Sequence, residues 1–185
     1  MTPMRLLLAT LALALPLTAA DARPPLPELD LRDPSLHYRG DVLLRGEEPF
    51  AGFVVERGLA GEVVSRTPYE AGRRHGLARG FHPGGAPAFE RTFAGGEREG
   101  THRGTWPNGR PQFVYHYAKD VFDGEQVGYH ENGVRAELRH FVAGHEEGQQ
   151  TTWDSEGRVG VNYTFKGGKR YGIVGRLDCV TVHEN

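Results

Sequence analysis

Nine histidines, one cysteine and 24 acidic residues are the side chains from which this 185-residue chain could build a catalytic or metal site. The histidines come in equivalent pairs: His116 with His140, and His82 with His130, hold matching places in the spacing pattern set out below. Matching places on adjacent hairpins are about 10 Å apart, too far for two imidazoles to share one ion. No His-x-x-x-His or Cys-x-x-Cys pair occurs. Cys179 and His183 offer the one thiol–imidazole combination, a donor set suited to a soft metal such as copper. On an extended strand they would be about 13 Å apart, so they could join one ion only if the tail turns. The reading is therefore that the histidines are polar strand residues facing water, with a site at Cys179 and His183 as the alternative.

The acidic residues are scattered. Glu146-Glu147 falls at a joint between units, and Asp120 with Asp123 sits in a glycine-bearing turn that lacks the spacing of a calcium loop. There is no Gly-x-Ser-x-Gly elbow and no Walker loop, and the glycine-rich stretch at 95–100 precedes no helix pattern that could cradle a phosphate. These patterns predict a protein that is not an enzyme and needs no cofactor. Aromatic residues are the real surplus. Phe81, Trp106, Tyr129 and Trp153 lie beside the expected turns, and rigid amphipathic rings of this kind are enriched where proteins bind one another. They are the candidate protein-binding residues. Arg79, Arg91, Arg103, Arg135 and Arg139 could line the same ribbon.

The elements that would position these rings follow from one interval. Glycine recurs at Gly52, Gly76, Gly100, Gly124, Gly148 and Gly172, and again nine residues after each of the first five, at Gly61, Gly85, Gly109, Gly133 and Gly157. Seventeen residues after the leading glycines stand Tyr69, Phe93, Tyr117, Phe141 and Phe165, all aromatic. A repeat of this length signals stacked small units that cannot bury their faces alone. Each unit reads as a β-hairpin. In residues 100–124, an extended stretch leads to Asn108-Gly109, which predicts a type I′ turn, and Phe113, Tyr115 and Tyr117 then alternate with the period of a strand. The predicted fold is all-β: five tandem 24-residue hairpins forming an elongated antiparallel sheet. The column from Tyr69 to Phe165 is its expected buried spine, with Trp106 and Trp153 half-exposed. Leucine-poor, glycine-rich composition excludes a helical bundle, and a net charge of −2 excludes a neutraliser of nucleic acid.

Residues 1–22 have one basic residue at Arg5, a short apolar run and Ala20-Asp21-Ala22, the pattern of an export signal. The mature chain is then expected to be exported, periplasmic or secreted. Residues 23–46 read as a lead and capping hairpin, 47–172 as the five units, and 173–185 as a C-terminal capping strand and tail.

The stretches Tyr129-His130-Glu131-Asn132-Gly133 and Phe165-Lys166-Gly167-Gly168-Lys169-Arg170-Tyr171-Gly172, with the opening Glu48-Pro49-Phe50-Ala51-Gly52, resemble the bacterial variant of the MORN repeat. The resemblance covers roughly residues 47–172 and departs from the pattern at Arg57–Ala60, which has no aromatic strand. It implies the hairpin architecture and transfers no catalytic residue. Members are antitoxin-like, membrane-associated or scaffold proteins. The expected function is a non-enzymatic protein-binding scaffold or adaptor whose partner is another periplasmic or envelope protein. A membrane-surface adaptor is the alternative, with antitoxin-like and soft-metal-handling roles behind it.

Overall fold

The computed structural model describes residues 25–173 and contains no helix there. Five hairpins follow one another along the chain: Gly52–Arg57 with Val63–Glu70, Gly76–Phe81 with Pro87–Ala94, Gly100–Thr105 with Pro111–Ala118, Gly124–Tyr129 with Arg135–Val142, and His145–Trp153 with Val159–Lys166. They are called hairpins 1 to 5. Lys169–Ile173 adds a last antiparallel strand, and Glu28–Asp30 pairs in parallel with Gly52–Arg57 at the opposite edge. Sheet order follows chain order, and the sheet is not closed. A separate three-stranded sheet, Leu36–Arg39, Val42–Arg45 and Glu48–Pro49, packs Leu43 and Phe50 against Val54. Residues 1–24, the expected export signal among them, and the tail from 174 with Cys179 and His183 lie outside the described residues.

The hairpin tips correct the expected turn. Type I′ geometry needs positive φ at both central residues, but at Asn108-Gly109 only the glycine has it, at 80°. The Gly109 amide donates to the Trp106 carbonyl at 2.8 Å and the Trp106 amide to the Arg110 carbonyl at 2.8 Å. Pro107 and Asn108 are therefore the central residues of the turn. Gly109 is the left-handed bulge that follows it, and register shifts between Gly104 and Thr105. Proline suits the first central position of such a turn, and Glu131 and Ser155 hold the same place in the matching turns of hairpins 4 and 5. The type I′ pattern occurs instead at the joints, where both central residues have positive φ: Ala71-Gly72, Gly95-Gly96, Lys119-Asp120, Ala143-Gly144 and Gly167-Gly168.

Backbone pairing among the first four hairpins is short, whereas hairpins 4 and 5 share five residue pairs. Hairpins 1 and 2 share two residue pairs, as do 2 and 3, and 3 and 4. Three further sets of contacts hold each junction. At the joints, the amides of Gly72, Gly96, Asp120 and Gly144 donate to the carbonyls of Phe50, Arg74, Arg98 and Phe122 at 2.8–3.1 Å. At the tips, side chains reach the next hairpin, as described below. In the middle, a column of buried residues runs Val54, Ala78, His102, Gln126 and Gln150. Where it turns polar, each side chain hydrogen-bonds to the backbone of the preceding hairpin. The Gln126 amide accepts from the His116 N–H and donates to the His116 carbonyl, both at 2.9 Å, as a peptide group of a neighbouring strand would. His102 Nε2 and Gln150 Nε2 reach the Thr92 and His140 carbonyls at 2.8 and 2.7 Å. At the equivalent place in hairpin 1 stands Pro68, which has no N–H to satisfy, and hairpin 2 there carries apolar Ala78. Gln126→Leu is expected to leave the His116 N–H without the Gln126 acceptor, while the His116 carbonyl keeps the Asp123 N–H at 3.0 Å, and to cost about 1–3 kcal/mol in urea unfolding, whereas Ala78→Val tests only space.

The aromatic column forms a spine, but not by direct ring-on-ring contact. Residues from the preceding joint interleave with it. Phe50 lies 6.2 Å from Tyr69, the Arg74 guanidinium 4.3 Å from the Phe93 ring, the Arg98 guanidinium 4.4 Å from Tyr117, and Phe122 5.2 Å from Phe141. The expected contrast in burial is not found. Phe93 is 5% exposed, but Tyr117 and Phe141 are half-buried, as are Trp106 and Trp153. Tyr117 is half-buried although Arg98, His102 and Phe122 all lie against its ring.

His102 is 2% exposed and sits between Phe93 and Tyr117, with ring centroids at 5.7 and 4.6 Å. Burial lowers its affinity for a proton below the ordinary histidine value; the Thr92 carbonyl opposes this and Arg91 and Arg98 reinforce it. A folded-state pKa below the unfolded one means that the unfolded chain binds more protons in the interval between them. The contribution of His102 to stability is thus complete above about pH 6.5 and is lost as the pH falls through the lowered value. Wild type is expected to lose more melting temperature than His102→Gln between pH 7.5 and pH 5, measured side by side.

Candidate partner-binding ridge

The tips of hairpins 2, 3 and 4 each project a side chain to the following hairpin. The Trp106 indole N–H donates to the Tyr129 carbonyl at 3.0 Å. At the matching positions, His82 Nε2 meets the Thr105 carbonyl and His130 Nε2 the Trp153 carbonyl, each at 2.8 Å. A carbonyl only accepts, so Nε2 carries the proton in both rings. The turn asparagines repeat the theme: Asn108 Nδ2 donates to the Glu131 carbonyl at 2.9 Å and Asn132 Nδ2 to that of Ser155 at 2.7 Å. His82, His130 and Trp106 thus hold one hairpin to the next, and His116 Nδ1 engages the Glu125 carbonyl at 2.6 Å. Among the described residues no three His, Cys, Asp or Glu side chains converge on one point.

The four candidate aromatics are all half-buried. Phe81, Tyr129 and Trp153 share one position of the hairpin with Thr105, and Trp106 lies one residue further on, in the position of His82 and His130. Only two of the four come together. Trp106 and Tyr129 line a groove of about 280 Å³ with Phe113, Tyr115 and Glu137, floored by Gly128. Phe81 and Trp153 are not part of it, and the Trp153 ring has the Arg135 guanidinium 5.8 Å from its centroid.

Phe113 and Tyr115 stack at 4.8 Å with 23° between their planes. The Tyr115 hydroxyl donates to Glu137 Oε1 at 2.6 Å. Burial, helped by that bond and by the Glu137 charge, holds the Tyr115 phenol above the ordinary tyrosine range, so it stays a donor at neutral pH. Glu137 also pairs with Arg139 at 3.0 Å and is 25% exposed. From the sequence, Phe113 and Tyr115 read only as alternating strand residues and Glu137 carries no mark of a site. The available signal was position: Glu137 stands where hairpins 2 and 3 carry Phe89 and Phe113.

A second groove of about 560 Å³ runs along the first joints, lined by Tyr38, Asp41, Tyr69, Arg73, Glu97 and Asp120 among others. Its charges are largely satisfied internally. Arg73 pairs with Asp41, Arg98 with Asp120 at 2.8 Å, and the Tyr38 and Tyr69 hydroxyls meet at 3.0 Å.

Fold and ridge together define an all-β protein carrying a long open antiparallel sheet of successive hairpins, with an aromatic groove on its tip side. A scan against protein-family models gives no match for this chain, and a search of the curated proteins gives none either.

Proposed function

We propose that this chain is an exported, non-enzymatic scaffold of the bacterial MORN-variant type, which binds another periplasmic or envelope protein through the tip side of its sheet. The observation that supports this reading is the groove between Trp106 and Tyr129. Four aromatic rings around a half-buried carboxylate give rigid contact area with a polar anchor, the composition of a binding patch rather than of a sheet surface alone. Tyr129→Ala is expected to weaken capture of the partner by about 2 kcal/mol, roughly thirtyfold. Its melting temperature should stay close to that of wild type, because the ring is half-buried and the Tyr129 carbonyl still receives the Trp106 N–H. The measurement is a pull-down from envelope extract with the captured protein identified by mass, alongside a thermal melt. Flotation with anionic vesicles but no captured protein would favour the membrane-surface adaptor instead.

A further inference from the structure

Several aromatic faces of the chain are covered by guanidinium groups. Arg66 lies 3.3 Å from the Phe53 centroid, Arg91 4.2 Å from Phe89, and Arg74, Arg98 and Arg170 lie over Phe93, Tyr117 and Tyr163. The groove of hairpins 3 and 4 gathers four rings that are not covered in this way. Among the described residues no guanidinium lies over Trp106, Phe113, Tyr115 or Tyr129. Where Arg91 covers Phe89 in hairpin 2, the matching residue of hairpin 3 is Tyr115, itself stacked on Phe113.

The floor of the same groove carries a charge where packing alone would place a ring. Phe89 and Phe113 lie against Gly80 and Gly104; in hairpin 4 the residue lying against Gly128 is Glu137. Its carboxylate accepts from the Tyr115 hydroxyl on Oε1, and Oε2 is ion-paired with Arg139 Nε at 3.0 Å. A carboxylate has about four acceptor positions, so it keeps acceptor capacity in a groove lined by four aromatic rings. Rings and carboxylate attract the same class of group, a planar cation able to stack and to donate hydrogen bonds at once.

We infer that the groove between Trp106 and Tyr129 takes the arginine side chain of a partner protein, stacked on the aromatic walls and hydrogen-bonded to Glu137. This rests on the scaffold reading above and names the chemistry by which the partner is held.

The test uses the whole mature chain and a blocked Gly-Arg-Gly peptide, with Gly-citrulline-Gly as its neutral counterpart. The two tryptophan indole N–H signals are followed by 1H–15N NMR during titration. The arginine peptide is expected to move the Trp106 signal in a saturable way, and the citrulline peptide to bind about tenfold more weakly, the loss of one charge-assisted hydrogen bond. Glu137→Gln keeps an acceptor for Tyr115 and should weaken the arginine peptide by a similar factor without changing the melt. Equal binding of both peptides, no response of Trp106, or an unaltered response in Glu137→Gln would overturn the inference. A pull-down separates it from its parent reading. If wild type and Glu137→Gln capture the same partner equally, the arginine site is wrong and the scaffold stands. If wild type captures none while Trp106 still responds selectively to the arginine peptide, the site stands and the protein scaffold does not.

Discussion

Phe93→Ala is expected to destabilise the protein by about 3–5 kcal/mol, close to the whole stability of a small domain. Phe93 is the one member of the aromatic column that is nearly inaccessible, at 5% exposure. Its ring joins two hairpins. Arg74 from the joint after hairpin 1 covers one side at 4.3 Å, and His102 of hairpin 3 lies 5.7 Å away. Truncation removes the dispersion and cation–π contacts of that ring and leaves a cavity beside a buried imidazole, which water can then reach. The loss should therefore also abolish part of the excess acid sensitivity assigned to His102, since an imidazole open to water no longer resists protonation. The comparison is Trp153→Ala, a half-buried ring at a tip, which should cost much less. Both are read by urea unfolding. A smaller loss for Phe93→Ala than for Trp153→Ala would mean that the joint-side spine is not the stabilising face.

The second large effect is steric. Gly104→Val is expected to cost about 1–3 kcal/mol or more through overpacking, although nothing in the backbone of Gly104 requires glycine. Its φ is not among the positive values. The constraint lies across the strand, where an added Cβ would come within 2.2 Å of Phe113 Cε1. Gly109 is the opposite case: its φ is +80° and nothing lies within 4 Å of an added Cβ. Gly109→Val should cost a similar ~1–3 kcal/mol, from dihedral strain alone. Phe113→Ala tells the two apart. Added to Gly104→Val it should recover much of the lost stability, and added to Gly109→Val it should recover none. Matching responses in the two double variants would mean that the Phe113 ring does not set the requirement at Gly104.

That contrast explains what the sequence could disclose. Gly109, Gly133 and Gly157 announce turns because a left-handed residue is a local requirement, readable from the residue itself and its interval. Gly80, Gly104 and Gly128 answer to a side chain nine residues on, across a strand pair, and look like idle small residues until the register is known. The Asn-Gly pair is a strong cue for a type I′ turn, but at both Asn108-Gly109 and Asn132-Gly133 the turn centres one residue earlier and the glycine is the bulge after it. Trp106, at the position of His82 and His130, is a tie between hairpins in the same way as they are. Gln126 was hidden because its column begins with Val54 and Ala78, so nothing in composition marks it as buried. The groove itself joins Trp106 to Tyr129 across a hairpin boundary, a proximity that only the stacking of one hairpin on the next creates.

Sheet order that follows chain order has a mechanical consequence. With Glu28–Asp30 at one edge and Lys169–Ile173 at the other, tension applied through the two ends runs across the strands, along the ladder hydrogen bonds rather than along the chain. Loaded this way, every junction carries the same tension, and within the junction that fails the bonds give way one after another, so the sheet peels instead of shearing. Each hairpin that lets go releases slack of about 80 Å, 24 residues at ~3.4 Å each. Under load the molecule is an extensible tether that yields in steps, beginning at whichever junction has the weakest ties.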